Sequence, residues 1–294
     1  MKNNAIRGVV AFTTFLIINS FFAQAQEDML DLLETESGPT RTLVSSTFKG
    51  VRLINGHSIE TRRKGTLEFL ISHRFGTLNS GAYEFFGLDA ANIRLGLEYA
   101  LFDRLTVGIG RNSFEKTYDG FVKLKFIDQS KGTQSFPVTI TGFSSLAINS
   151  LRFDDPQVFP TFTSRIAYTH QLLIARKFGE AFSFQVMPTL VHNNRIEEIN
   201  GDNDQIALGL GGRFKLSKRL SLNAEYYYRF NESEAEEDIY NSIAIGFDIE
   251  TGGHVFQLHF TNSRAMIEKG FVNETTGDFF NGDIHFGFNI SRAF

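Results

Sequence analysis

Large apolar residues recur at every second position through most of this chain, and the residues between them carry charge. Over 93–101, Ile93, Leu95, Leu97, Tyr99 and Leu101 are interleaved with Arg94, Gly96, Glu98 and Ala100. A period of two is that of an extended strand with one apolar face. The same alternation runs through 67–71, 105–109, 122–126, 166–174, 182–186, 206–210, 220–228, 243–249, 256–260 and 284–290. The stretch from Val138 to Ile148 is less regular; its parity slips near Phe143, as at a bulge. The count is roughly 12 strands of about 9 to 12 residues.

Many alternating strands build either a soluble sandwich or a transmembrane barrel whose outside is apolar and whose lumen is polar. The interleaved face decides between them. It carries Arg94, Glu98, Lys123, Lys125, Arg213, Lys215, Glu225, Arg229, Asp248 and Glu250, with His259 and His285 on the last strands. A wet lumen accepts these groups and a sandwich core does not. Tight connections at 102–104, 179–181, 217–219 and 251–253 also alternate with longer ones near 76–91, 150–161, 194–203, 231–239 and 262–282. Short turns on one side of the membrane and long loops on the other are the transmembrane pattern. The expected fold is all-β, an antiparallel up-and-down transmembrane β-barrel of about 12 strands over 65–294, with both termini periplasmic. The final strand keeps Phe286, Phe288 and the terminal Phe294 in phase, an expected recognition signal for the barrel-assembly machinery.

Ahead of the strands, Lys2 and Arg7 precede an apolar run from Val9 to Phe22 and then Ala23-Gln24-Ala25. That order is a secretory signal peptide over 1–25, so the mature chain is expected to start at Gln26 and to carry a net charge of −6 once Lys2 and Arg7 are removed from −4. Residues 26–64 form a periplasmic N-terminal segment. An acidic amphipathic stretch, 27–36, opens it, and 47–64 leads into the first strand or tucks beneath the barrel, too short for a plug domain. With no Cys there is no disulfide, thiolate metal site or cysteine nucleophile. The weakly negative charge, with Lys and Arg spread along the chain, argues against a nucleic-acid partner.

The stretches Leu53-Ile54-Asn55-Gly56-His57-Ser58-Ile59-Glu60, Ile71-Ser72-His73-Arg74-Phe75-Gly76, Phe85-Phe86-Gly87-Leu88-Asp89 and Ile93-Arg94-Leu95-Gly96-Leu97-Glu98-Tyr99 form a recognisable series. It continues in Gly108-Ile109-Gly110-Arg111 and Lys116-Thr117-Tyr118-Asp119-Gly120-Phe121. Together these resemble a Bacteroidota family of outer-membrane β-barrel proteins of unknown function, from about residue 47 to the C-terminus. The resemblance implies fold and location and brings no catalytic or substrate-binding residue with it.

Chemistry is sparse. The glycine-rich pieces 108–110 and 209–212 lie within strands, where they make room for neighbouring backbone and cradle no phosphate. Ser72 and His73 are adjacent, hence on opposite strand faces, and no Gly-x-Ser-x-Gly elbow exists. His259 and His285, with Asp283 nearby, are the candidates for a weak metal or proton site, but satisfied lumen histidines are the expectation, with no metal and no cofactor. Arg213, Lys215, Glu225, Arg229, Asp248 and Glu250 are expected to form cross-strand charge pairs. The lumen is then either packed or open. The acidic tip at 232–238 reads as a solvated loop, and the aromatic loops at 262–282 and 76–91 read as fold-back plugs. The expected function is that of a non-enzymatic outer-membrane barrel in contact with lipid, a channel for small solutes. The alternatives are a closed barrel that holds a protein partner through its outer loops, or an envelope enzyme acting on lipid or sugar.

Overall fold

The computed structural model describes residues 41–152, 161–194, 203–230, 239–251 and 254–294. Two compact units divide the chain, Met1–Thr42 with Lys131–Ser135, and Leu43–Ser130 with Phe136–Phe294. Of the first, only 41–42 and 131–135 are described, so the signal segment and the stretch 27–36 lie outside the described residues, as does the acidic tip of the second unit.

In the second unit twelve strands close into one antiparallel ring: β1 (Leu67–Thr77), β2 (Ala91–Phe102), β3 (Leu105–Asn112), β4 (Tyr118–Ile127), β5 (Thr139–Ile148), β6 (Ile166–Lys177), β7 (Phe182–Asn193), β8 (Asp204–Lys215), β9 (Leu220–Arg229), β10 (Ser242–Thr251), β11 (His254–Thr261) and β12 (His285–Ala293). Each strand pairs with the next in sequence, and β12 returns to β1 with Ile290 opposite Ile71. Leu67 and Phe294 exchange backbone hydrogen bonds of 3.2 and 2.8 Å and finish the seam. An even number of strands leaves both ends of the ring on the side of the short turns. One six-residue helix, α1 (Glu268–Asn273), interrupts the connection from β11 to β12. No helix among the described residues is long and apolar enough to cross a membrane.

The alternation read from the sequence is the division between wall and lumen. On β2, Leu95 and Leu97 are 44% and 42% exposed on the outside, while Arg94 and Glu98 are 1% and 2% exposed on the inside. Exposed Phe102, Phe178, Phe182, Phe214 and Phe294 cluster at the turn end, and Tyr118, Tyr228, Phe230 and Tyr240 at the loop end. These are the aromatic girdles of a membrane-spanning barrel. Across β5 and β6, outward Ser144 Oγ and His170 Nδ1 lie 3.0 Å apart, so two polar groups on the apolar face satisfy each other.

The bulge expected in Val138–Ile148 is not there. Strand β5 pairs without a break with β6, and Phe143 points inward in phase with Thr139 and Thr141. An aromatic on the lumen side gave the impression of slipped parity; the register shift sits instead on β4, between Lys125 and Ile127.

A charge placed on the outer face has no water to solvate it. Leu97→Lys should lower stability in lipid vesicles by about 2–4 kcal/mol, read as a reduced midpoint of denaturant unfolding.

Candidate functional site

The lumen is filled by the chain itself. Residues 47–60, expected to lead into the first strand or tuck beneath the barrel, instead rise through the ring as a tight hairpin, with Leu53 N donating to Gly56 O at 2.9 Å and Ser58 N to Val51 O at 2.9 Å. A stretch this short stoppers the barrel because the ring is narrow and long side chains reach in from all round it. Thr47, Phe48, Val51, Leu53, Ile54, Asn55, His57, Ser58 and Ile59 are all buried. Asn55-Gly56, a turn dipeptide between Leu53-Ile54 and His57-Ser58-Ile59, is the sequence signal that marks it.

The lumen holds one apolar cluster. Phe48, Leu53 and Ile59 of the hairpin pack with Phe121, Phe143, Leu173, Met187 and Tyr227, which face inward from β4, β5, β6, β7 and β9. Gly56 is fixed by this contact, since a Cβ there would collide with the Tyr227 hydroxyl. Elsewhere the wall holds the hairpin by hydrogen bonds. Glu225 on β9 accepts from the backbone N–H groups of Asn55 (2.7 Å), Ile54 (3.2 Å) and Gly56 (3.3 Å). Gln185 on β7 accepts from Ile59 N at 3.0 Å and donates to His57 O at 2.8 Å. Gln257 donates to Leu53 O (2.8 Å), Asn289 to Ile54 O (2.9 Å) and Arg213 to Thr47 O (3.0 Å). Arg74 on β1 donates to Asn55 Oδ1 at 2.5 Å.

The loop between β11 and β12 descends from the other end. Ala265, Met266, Ile267, Phe271 and Val272 are buried, and the Phe271 ring lies 4.9 Å from that of Tyr227. Glu268 of α1 meets the hairpin, 3.3 Å from Arg52 Nη1 and 3.8 Å from His57 Nε2. Burial pushes the Glu268 carboxyl up, against the pull of Arg52. Burial, with repulsion from Arg52, Lys123 and Arg94, holds the His57 imidazole well below the usual histidine range. The plug expected in 262–282 is therefore present. The 76–91 loop differs: Tyr83, Phe85 and Phe86 stay exposed, with Tyr83 at 92%, so it does not fold back.

Arg94, Glu98, Lys123, Arg213, Glu225, Arg229, Asp248, His259 and His285 are all buried, on the lumen side of their strands. Lys125, Lys215 and Glu250 sit half-buried near the turn end; Lys125 is 3.7 Å from Asp128, and Glu250 pairs with Lys49. The cross-strand charge ladder does not form. The register sets Arg213 against Asn223, Gly211 against Glu225 and Ser221 against Asp248. Arg213 Nε donates to Ser221 Oγ (3.1 Å), Asp248 accepts from Gln257 (2.8 Å), and Glu225 turns to the hairpin. Close ion pairs form elsewhere: Arg94 with Asp119 at 2.5 Å and Arg62 with Glu68 at 2.7 Å. Gly110 leaves room for the first, as a Cβ there would lie 2.7 Å from Asp119 Oδ1. His259 and His285 occupy adjacent strands, but Asp283 is bonded to Asn79 and to Asp278 N, and no metal-binding group of three forms among the described residues. Phe286 and Phe288 face outward across the seam, stacked on Phe75 and His73.

Glu225→Ala strips an acceptor from three buried N–H groups, which should cost about 1–3 kcal/mol and appear as faster amide exchange at 54–59. Seated, His57 resists a proton, whereas displaced into water it titrates near about 6.5, so acid below that value favours displacement. Glu268 acts oppositely, since its raised value makes the seated state take up the proton. Amide exchange in 51–59, corrected for its intrinsic pH dependence, should therefore accelerate on acidification more in Glu268→Gln than in the unaltered protein, and less in His57→Phe.

No curated protein matches the chain. Among solved structures it is similar to the NanC porin, with a TM-score of 0.51 at 8% identity over 77% of this chain and 98% of that one. An outer-membrane channel from Pseudomonas putida F1 gives a TM-score of 0.47 at 12% identity, over 80% and 98% of the two chains. Outer membrane phospholipase A from Escherichia coli gives 0.44 at 14%, over 77% and 89%. At 8% identity the likeness to the NanC porin is one of fold. The model of the membrane bound beta barrel domain family, DUF5777, matches residues 48–294, from the hairpin to the last residue. With its closed twelve-strand ring, apolar exterior and aromatic girdles, the chain belongs to that family of membrane-bound β-barrels.

Proposed function

We propose that this protein is a channel for small solutes in the outer membrane, closed in the conformation described by its own hairpin and opened when residues 47–60 leave the lumen. The observation that carries the reading is how the hairpin is held. Glu225, Gln185, Gln257, Asn289, Arg213 and Arg74 grip it through hydrogen bonds that water can replace. Without the hairpin, these six groups line a polar passage. The NanC porin, similar in fold, is by its name a porin, which supports passage rather than catalysis as the role.

The same proposal includes the route to the membrane. The signal over 1–25 directs export, 26–46 remain in the periplasm, and the last strand with Phe286, Phe288 and Phe294 is read by the assembly machinery of a Bacteroidota envelope.

Single-channel recording of refolded 26–294 in planar bilayers tests the function. Infrequent steps whose size rises with salt are expected, with the open fraction increased in Glu225→Ala. Silence from both proteins, shown to be folded by heat-modifiable gel mobility, would overturn the channel.

A further inference from the structure

The hairpin tip meets the wall as a ligand meets its site. Glu225 and Arg74 are fully buried, on strands four steps apart around the ring. Among the described residues neither has an oppositely charged partner at salt-bridge distance. Asn55 lies between them: its backbone N–H, with those of Ile54 and Gly56, serves the carboxylate, and its side-chain oxygen accepts from the guanidinium. Buried charges with no opposite charge in contact are costly, and neutral amide groups compensate them only in part. Donor capacity is also left over beside the tip. Arg74 Nε and both ring nitrogens of His259 are buried without a hydrogen-bond partner, and the two side chains meet over Gly287, where an added Cβ would lie 2.5 Å from His259 Nε2 and 2.9 Å from Arg74 Cδ.

We infer that Glu225 and Arg74 form a binding site for a small zwitterion, one ammonium and one carboxylate as in an amino acid, and that Asn55 occupies it as a built-in stand-in. An ammonium group presents from one atom the three N–H donors that Glu225 now collects from three residues. A carboxylate offers the guanidinium two acceptors in one plane where the carboxamide offers one. Both exchanges replace a neutral partner by a charged one, and charge-assisted hydrogen bonds are the stronger kind. The path from Asn55 N through Cα, Cβ and Cγ to Oδ1 has the same atom count as that from the amino nitrogen of β-alanine to its carboxylate oxygen. This inference rests on one part of the channel reading, the movement of the hairpin, because solute reaches the site only then.

Calorimetric titration of the full mature chain with β-alanine, glycine, acetate and methylammonium tests it. In Asn55→Ala, where the stand-in is weakened, β-alanine is expected to bind saturably and at least about ten-fold more tightly than acetate or methylammonium. Adding Glu225→Gln or Arg74→Gln should weaken it by about ten-fold or more. Equal binding of the half-ligands, or indifference to both substitutions, overturns the site. If Asn55→Ala does not fold, amide exchange decides: β-alanine should accelerate exchange at 54–56 in the unaltered protein and not in Asn55→Asp, whose own carboxylate satisfies Arg74. Unchanged exchange in the unaltered protein overturns the inference. Salt-dependent steps without β-alanine binding would leave passage standing and remove the site, whereas binding without steps would do the reverse.

Discussion

In hydrocarbon no water is available to a backbone N–H or C=O, so every strand in this wall must have a neighbour on both sides. The pairing of β12 with β1, finished by Leu67 and Phe294, is therefore the contact on which the other eleven pairings depend. Closure also fixes what the two faces can be. One meets lipid and tolerates almost nothing charged; the other is cut off from lipid and takes whatever the lumen holds. The seam carries apolar contact as well, with Phe286 and Phe288 stacked on Phe75 and His73.

Once the ring exists, the same demand falls on the hairpin inside it. Two ladder bonds pair only part of its backbone, and a buried unpaired carbonyl or N–H is costly. This accounts for the amide side chains among the inward residues: Gln185, Gln257 and Asn289 each reach a hairpin backbone group that has no partner of its own. The apolar cluster in the lumen, from Phe121 to Tyr227, removes oily surface from water but specifies no register. Hydrogen bonds to Glu225 and its neighbours set how far up the lumen the tip stands. Glu268 then meets Arg52 and His57 from above, so the two insertions share one buried charge cluster.

The ring was legible because its two environments differ in the crudest possible way, and a period of two records that difference residue by residue. Arg94, Glu98, Lys123 and Glu225 could be assigned to the inside from parity alone. Their partners could not. Which residue faces which depends on the stagger between strands, and a shift of a few positions sets Arg213 against Asn223 rather than an acid. The hairpin was hidden for another reason. Strand periodicity says nothing about a segment too short to show a period, and Leu53 to Glu60 reads as a mixture of apolar and polar residues without a face. Only Asn55-Gly56 betrays a turn there. Phe143 misled in the opposite direction, since an aromatic that points inward to meet the hairpin looks like a break in a strand that has none.

The hairpin is secured at both limbs on the same rim. Val44 N donates to Gln129 O on one side, and on the other Thr61 Oγ1 and Lys64 N reach Asp103 before the chain runs directly into β1. A stopper tied in this way cannot diffuse off. On the proposed opening, its return is intramolecular, at an effective concentration set by a tether of a few residues, so reclosure is a first-order process that dilution of the protein does not slow. An open interval should accordingly have a lifetime that belongs to the single molecule, with each barrel resetting itself without a partner to bring the stopper back.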